Sequence, residues 1–146
     1  MRRRLIMLAL CGGMALAALS SGPAQADGPG AGGSSARLTG TQEVPPADLD
    51  GTGSFGVFLD AGRGQVCFGL QVANIAPAVA AHIHRGVVGQ NGPVVVPLPP
   101  PTTGASAGCV AADPAVVQDI INHPTNYYVN VHNAQFPGGA IRGQLI

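Results

Sequence analysis

Apolar and polar residues alternate along most of the chain. In the clearest segment, residues 66–72, four apolar residues are separated by Cys67, Gly69 and Gln71. This period of two is typical of an antiparallel strand that buries one of its faces. Segments of similar texture, separated by Gly- and Pro-rich turns, lie at residues 37–43, 51–59, 79–88, 93–98, 127–133 and 140–145. The pattern predicts an all-β fold, an antiparallel β-sandwich or barrel of about seven to eight strands.

One segment has the period of a helix instead. Asp113 is a suitable N-cap and Pro114 fits the first helical position. Apolar residues then recur on one face between residues 116 and 121. We therefore expect one short helix that ends at Asn122-His123-Pro124, with His123 as a surface residue at its C-terminus.

The first 26 residues have the organisation of a signal peptide. Arg2-Arg3-Arg4 forms a basic region, residues 5–19 form an apolar region, and Ala24-Gln25-Ala26 provides a cleavage site. The apolar run is shorter than the roughly 20 residues of a membrane-spanning helix. We therefore expect cleavage after residue 26, secretion into the periplasm or the medium, and no stable membrane anchor in the mature protein.

The rest of the chain divides into two parts. Residues 27–35 are rich in Gly and Ser, which predicts a flexible linker, and residues 36–146 have the length of a single β-domain. Without the signal peptide, four arginines and no lysine stand against seven acidic residues, a net charge of −3. Because there is no basic patch for a phosphate backbone, we expect no nucleic-acid partner.

Two cysteines remain after the signal peptide, Cys67 and Cys109. In an oxidising compartment the simplest expectation is a disulfide between them. Such a bond closes a loop of roughly 40 residues, which stabilises by about 4 kcal/mol on the chain-entropy model. A reactive thiol or a Cys–His metal site is the alternative.

Three of the four histidines lie in two predicted strands. His82 and His84 are two residues apart and face the same side, and Tyr128, Asn130 and His132 share a face in the same way. If these faces meet, the three imidazoles converge. Neutral imidazole is a preferred ligand of copper and zinc, with Asn130, Tyr128 and Arg142 as surrounding residues. The alternative is a structural network in which the histidines hydrogen-bond to the backbone and to Asn130.

Arg142 and the acidic residues have no recognised catalytic pattern. Arg142 shares a face with Ala140 and Gln144; we expect it to pair with Asp50 or Asp60, the alternative being that it guides an anion to the histidines. No nucleophile elbow, cysteine nucleophile or phosphate loop is found, so no catalytic residue is assigned.

From about Arg37 to the C-terminus the chain resembles the CHRD domain family, named for its occurrence in chordin and also found in secreted bacterial proteins. The segments that carry the resemblance are Leu38-Thr39-Gly40, Glu43-Val44-Pro45-Pro46, Ala81-His82-Ile83-His84-Arg85-Gly86, Asn91-Gly92-Pro93-Val94-Val95, and Tyr128-Val129-Asn130-Val131-His132-Asn133 with Phe136-Pro137-Gly138-Gly139-Ala140-Ile141-Arg142-Gly143-Gln144-Leu145. Ala140 and Asn133 stand where the family pattern has an acidic residue and a threonine.

The resemblance implies an all-β fold and an extracellular module, since chordin is an extracellular antagonist of growth factors. The strand with His82 and His84 also resembles the copper-binding strand of copper–zinc superoxide dismutases. That dinuclear site needs six histidines and an aspartate, so four histidines exclude it. Two hypotheses follow. The first is a non-enzymatic CHRD-domain binding or structural module with an unknown extracellular protein partner. The second is a mononuclear copper or zinc protein that uses His82, His84 and His132 and could have dismutase-like redox activity.

Overall fold

The computed structural model describes residues 30–146. The elements are β1 (Ala31–Thr39), β2 (Thr52–Asp60), β3 (Gln65–Ala73), β4 (Ala78–Arg85), β5 (Val94–Leu98), β6 (Ala105–Ala111), α1 (Pro114–Asn122), β7 (Tyr127–Asn133) and β8 (Ile141–Gln144). Short 3-10 turns lie at Gly40–Gln42 and Pro124–Asn126. The predicted signal peptide lies outside the described residues.

All eight strands belong to one antiparallel sheet in the order β5-β4-β7-β8-β1-β2-β3-β6. The sheet curls into a nearly closed, barrel-like form around an apolar interior. This confirms the predicted all-β fold with one helix. In the described part of the chain, no helix is both long and apolar enough to cross a membrane.

The interior is built from every second residue of the strands. Leu70, Ile83, Val129 and Ile141 are fully buried on its inner side. Helix α1 packs against β1, β2 and β3 and contributes Val117 and Ile120, which are also fully buried. The predicted N-cap is present, since the Asp113 carboxylate accepts a hydrogen bond of 2.8 Å from the backbone N–H of Ala115.

The N-terminal boundary differs from the expected linker at residues 27–35. Strand β1 begins at Ala31, and its first residues pair with the end of β2 from Ala31 opposite Asp60 onwards. Gly32 lies where a Cβ would be 3.1 Å from the side chain of Ile121. Small residues therefore let α1 pack closely on this strand, while its backbone completes the ladder of β2. A Gly/Ser composition did not reveal that pairing.

Candidate metal centre

One face of the β4-β7-β8 segment is polar, although it is largely covered. Residues directly opposite one another in a sheet share a face. Asn130 in β7 lies opposite His82 in β4 and Arg142 in β8, and Tyr128 lies opposite His84. His132 is two residues from Asn130 and shares its face. The sheet therefore brings together the histidines of two strands that are about 50 residues apart in the chain.

The three imidazoles converge, as their spacing predicted. One ring nitrogen from each of His82, His84 and His132 lies within 4.8 Å of the other two. In residues 30–146 this is the only group of three or more His, Cys, Asp or Glu side chains with such spacing. Nδ1 of His82 is 3.1 Å from Nε2 of His132. Nε2 of His84 and Nε2 of His132 are each 3.0 Å from Oδ1 of Asn130.

Two backbone carbonyls determine which nitrogens face inwards. Nδ1 of His84 is 2.8 Å from the carbonyl oxygen of Gly92, and Nδ1 of His132 is 3.0 Å from that of Pro137. A carbonyl oxygen can only accept, so each Nδ1 carries a proton and donates it. Each Nε2 then presents a lone pair to the cluster. Histidines that bind metals are commonly oriented in this way by a carbonyl on the far side of the ring.

The loops that supply these carbonyls depend on local sequence. A Cβ at Gly92 would overlap the carbonyl of Arg85, so only glycine lets this loop return close to β4. In the turn after β7, Oδ1 of Asn133 accepts hydrogen bonds of 3.0 Å and 2.9 Å from the N–H groups of Gln135 and Phe136. This side chain organises the turn that places Pro137 beside His132.

Burial and the charges of neighbouring histidines favour the neutral form of His82 and His132. His84 is only 8% exposed, and the other two rings are partly buried. Burial lowers the pKa of His82, and the neighbouring His132 and His84 lower it further. Burial also lowers the pKa of His132, against a smaller opposing effect of its bond to Pro137. Both rings are therefore largely unprotonated near pH 7, as a metal ligand must be.

Tyr128 and Arg142 support the site from behind. The Tyr128 ring stacks on His84 with a centroid distance of 4.7 Å and an interplanar angle of 5°. The guanidinium carbon of Arg142 lies 3.3 Å from the centroid of the same ring. Because β4 and β8 flank β7, the tyrosine stands between the histidine and the arginine. The stack restricts rotation of His84.

The expected pairing of Arg142 with Asp50 or Asp60 is wrong. Arg142 is 2% exposed, and its guanidinium donates to backbone carbonyls of Val87 (3.2 Å) and Gln90 (2.7 Å) and to Oδ1 of Asn91 (3.2 Å). Because Arg142 lies opposite Asn130 in the sheet, its side chain extends beneath the loop of residues 86–92 and contacts this loop instead of Asp50 or Asp60. With its donors engaged by this loop, it is not placed to guide an anion to the histidines.

Sequence reasoning missed Glu43 as a buried residue of this layer. Glu43 is 5% exposed, and burial raises the pKa of its carboxyl to about 7, although the positive charge of Arg142 acts in the opposite direction. The adjacent Val44 carbonyl accepts a hydrogen bond of 2.7 Å from the Asn91 side chain. Glu43 and Asn91 both lie in segments that carry the family resemblance. That resemblance was the signal by which the sequence could have identified Glu43.

The remaining candidate residues lie apart from the histidine cluster. Cys67 and Cys109 form the predicted disulfide, joining directly opposite residues of β3 and β6. This removes the thiol and Cys–His alternatives. His123 is exposed, and its Nδ1 lies 3.0 Å from Oδ1 of Asp119 one helical turn earlier. His123 therefore lies outside the histidine cluster, on the surface at the end of α1.

The fold is thus a disulfide-linked antiparallel β-domain with a loop-covered polar face. The CHRD domain family matches residues 34–145 of the chain. Because the match covers most of its length, the chain belongs to the CHRD domain family. No curated protein and no solved structure matches the chain.

Proposed function

We propose that this CHRD-domain protein binds one copper or zinc ion between His82, His84 and His132. The observation that carries the proposal is the orientation of His84 and His132. Their Nδ1 atoms are bound to carbonyl oxygens, so both Nε2 lone pairs face the cluster that His82 completes. A purely structural hydrogen-bond network does not require three imidazoles to present nitrogen atoms to one another.

The donor types restrict the metal. Magnesium and calcium favour carboxylate, carbonyl and water oxygens, whereas imidazole suits copper, zinc and other late first-row ions. In the described part of the chain, no carboxylate belongs to the cluster. Copper(II) would bind more tightly than zinc at equal availability, because affinities at such sites follow the Irving–Williams order.

The proposed place of action is outside the cytoplasm. The basic, apolar and cleavage segments of residues 1–26 support export, and the Cys67–Cys109 disulfide is typical of oxidising compartments. Membership of the CHRD family supports a second candidate function, a non-enzymatic module that binds an extracellular protein. The two functions differ in whether the histidine cluster is required.

Metal titration of the exported protein tests the proposal. Mature protein without an affinity tag, with its N-terminus checked by mass to be Asp27, is titrated calorimetrically with zinc and then with copper. We expect one equivalent to bind, and His84→Ala or His132→Ala to weaken binding by about 100-fold or more through loss of a ligand.

His123→Ala is the matched control, because this histidine lies outside the cluster. It should bind like the wild type. Wild-type affinity in both His84→Ala and His132→Ala, or equal losses in all three variants, would overturn the metal proposal. A protein partner that binds equally well after either cluster substitution would instead support the second function.

A further inference from the structure

We infer that the side-chain oxygen of Asn130 is a fourth ligand, so that the metal is held in a closed site of three nitrogens and one oxygen. This inference rests on the proposed metal binding and adds the coordination that the protein supplies. It goes beyond a supporting role for Asn130 around the three histidines.

The distances carry the inference. Oδ1 of Asn130 is 3.0 Å from Nε2 of His84 and 3.0 Å from Nε2 of His132, and the latter is 3.1 Å from Nδ1 of His82. In a tetrahedral site with bonds of about 2.0–2.1 Å, neighbouring ligand atoms are about 3.3–3.4 Å apart. These three of the six ligand pairs are therefore within a few tenths of an ångström of tetrahedral spacing. The ring nitrogens of the three histidines, which lie within 4.8 Å of one another, need to approach further to surround an ion.

The chemistry of these contacts points the same way. Because the Nδ1 protons of His84 and His132 are donated to Gly92 and Pro137, both Nε2 atoms act as acceptors. When the two rings are neutral, the Asn130 oxygen is a third acceptor 3.0 Å from both Nε2 atoms, and the three lone pairs share no donor. A cation satisfies all three lone pairs at once. The other solution is to turn the amide so that its NH₂ group donates to both rings.

The packing of Asn130 favours a fixed ligand. Its side chain is 3% exposed and lies on the central strand β7, between β4 and β8. His132 is two residues further on the same face, and the stacked pair of Tyr128 and His84 lies on the other side. An amide held by neighbouring strands on both sides loses little further freedom when it coordinates an ion.

A fourth protein ligand changes what the site can do. Structural zinc sites fill all four positions with protein ligands, whereas catalytic sites keep one position for water or substrate. A closed site therefore binds β4 to β7 and stabilises the fold, and it leaves no inner-sphere position for superoxide. On this basis the bound protein should lack dismutase activity.

Three variants of Asn130 and His84, examined with cobalt(II) as the probe, test the inference. Four-coordinate cobalt absorbs much more strongly in the visible region than cobalt with additional water ligands. Asn130→Ala should bind cobalt about 10- to 100-fold more weakly, with visible bands shifted from those of the wild type, because water takes the position of the amide oxygen. Asn130→Asp should bind about 10-fold or more tightly than the wild type and keep the intense band, because it places a charged oxygen at the same point.

The outcomes separate this inference from the proposed function. If Asn130→Ala and Asn130→Asp give the wild-type spectrum and affinity while His84→Ala abolishes binding, the metal site stands and Asn130 is not a ligand. Weaker binding by Asn130→Asp would show that the amide acts as a donor, which also overturns the inference. If His84→Ala and His132→Ala bind cobalt with wild-type affinity, the proposed function itself fails. Asn122→Ala, on the exposed end of α1, controls for unrelated loss of an amide, and metal-free thermal unfolding of each variant controls for folding.

Discussion

At the scale of single residues, Glu43 and Arg142 are the least expected features of the structure. Both ionisable groups are buried on the polar face. Arg142 donates hydrogen bonds to loop carbonyls, so its effect on Glu43 is a charge attraction that only partly offsets the cost of burying the Glu43 carboxylate. Burial raises the pKa of Glu43 from 4.5 to about 7. The folded state therefore holds this proton more tightly than the unfolded state does. Its contribution to stability is full below about pH 4.5 and is lost as the pH rises through about 7.

The substitution Glu43→Gln should remove this pH dependence, because glutamine stays neutral. We expect the variant and the wild type to be similarly stable at pH 4.5. At pH 8 the variant should be more stable by about 1–3 kcal/mol. Urea unfolding of metal-free protein in a chelator at pH 4.5, 6 and 8 measures the difference.

The histidines do not disturb this comparison. The pKa values of His82 and His132 are lowered, so their contribution to stability increases with pH, but it is common to both proteins and cancels in the difference. Asp60→Asn, at a partly exposed carboxyl beside Arg63, is the control variant. A difference between wild type and Glu43→Gln that is constant from pH 4.5 to 8 would contradict the argument.

At the scale of elements, the turn between β7 and β8 connects the polar layer to the histidines. It supplies the Pro137 carbonyl that orients His132, and Gly139 packs against Glu43. Gly139 has a φ of 133°, in the region that favours glycine, and a Cβ there would overlap the Glu43 carboxyl. The neighbouring Gly138 has open space around its Cα. The structure therefore requires glycine at residue 139, whereas it has room for a larger residue at position 138.

The variants Gly139→Ala and Gly138→Ala form a matched pair. Gly139→Ala should lower the free energy of unfolding by about 1–3 kcal/mol, through backbone strain and the displaced carboxyl. It should also weaken metal binding, because the turn that holds Pro137 moves. Gly138→Ala should stay within about 0.5 kcal/mol of the wild type. Urea unfolding and zinc titration provide both readouts, and equal effects of the two substitutions would contradict this account of the turn.

At the scale of the whole molecule, the disulfide and the histidine cluster stabilise different parts of the sheet. Cys67–Cys109 fastens the edge strand β6 to β3, whereas the histidines join β4 to β7 near the other end of the strand order. The disulfide spans 42 residues of sequence, a stretch that includes β4 and β5. The disulfide therefore acts mainly by lowering the conformational entropy of the unfolded chain, and it has little effect on the geometry of the histidine cluster.

Replacing both cysteines by alanine should destabilise the domain by about 4 kcal/mol through loop-closure entropy. Hydrogen exchange should increase first in β6, which then remains an edge strand without its cross-link. The affinity for zinc should be unchanged under conditions in which the variant is folded. A variant that keeps its stability but loses metal binding would show that the two features are coupled.

Much of the fold could be predicted from local sequence. A period of two identifies a strand and the residues that share its face, so it determined that His82 and His84 lie side by side. The pattern from Asp113 to Asn122 likewise determined the helix and its cap. Two cysteines in a chain with a signal-like N-terminus predicted their disulfide. The strand and helix predictions depend on neighbouring residues alone, and the disulfide prediction depends on the number of cysteines and the expected compartment.

Only the tertiary structure decided how the site is assembled. Local periodicity does not predict that β7 lies between β4 and β8, because the strand order depends on how all the strands, α1 and the connecting loops pack together. The same pairing buries Arg142, covers Glu43 and aims the carbonyls of Gly92 and Pro137 at the rings. The sequence therefore determined which histidines could meet. The tertiary contacts determined which of their nitrogens face one another and placed the oxygen of Asn130 among them.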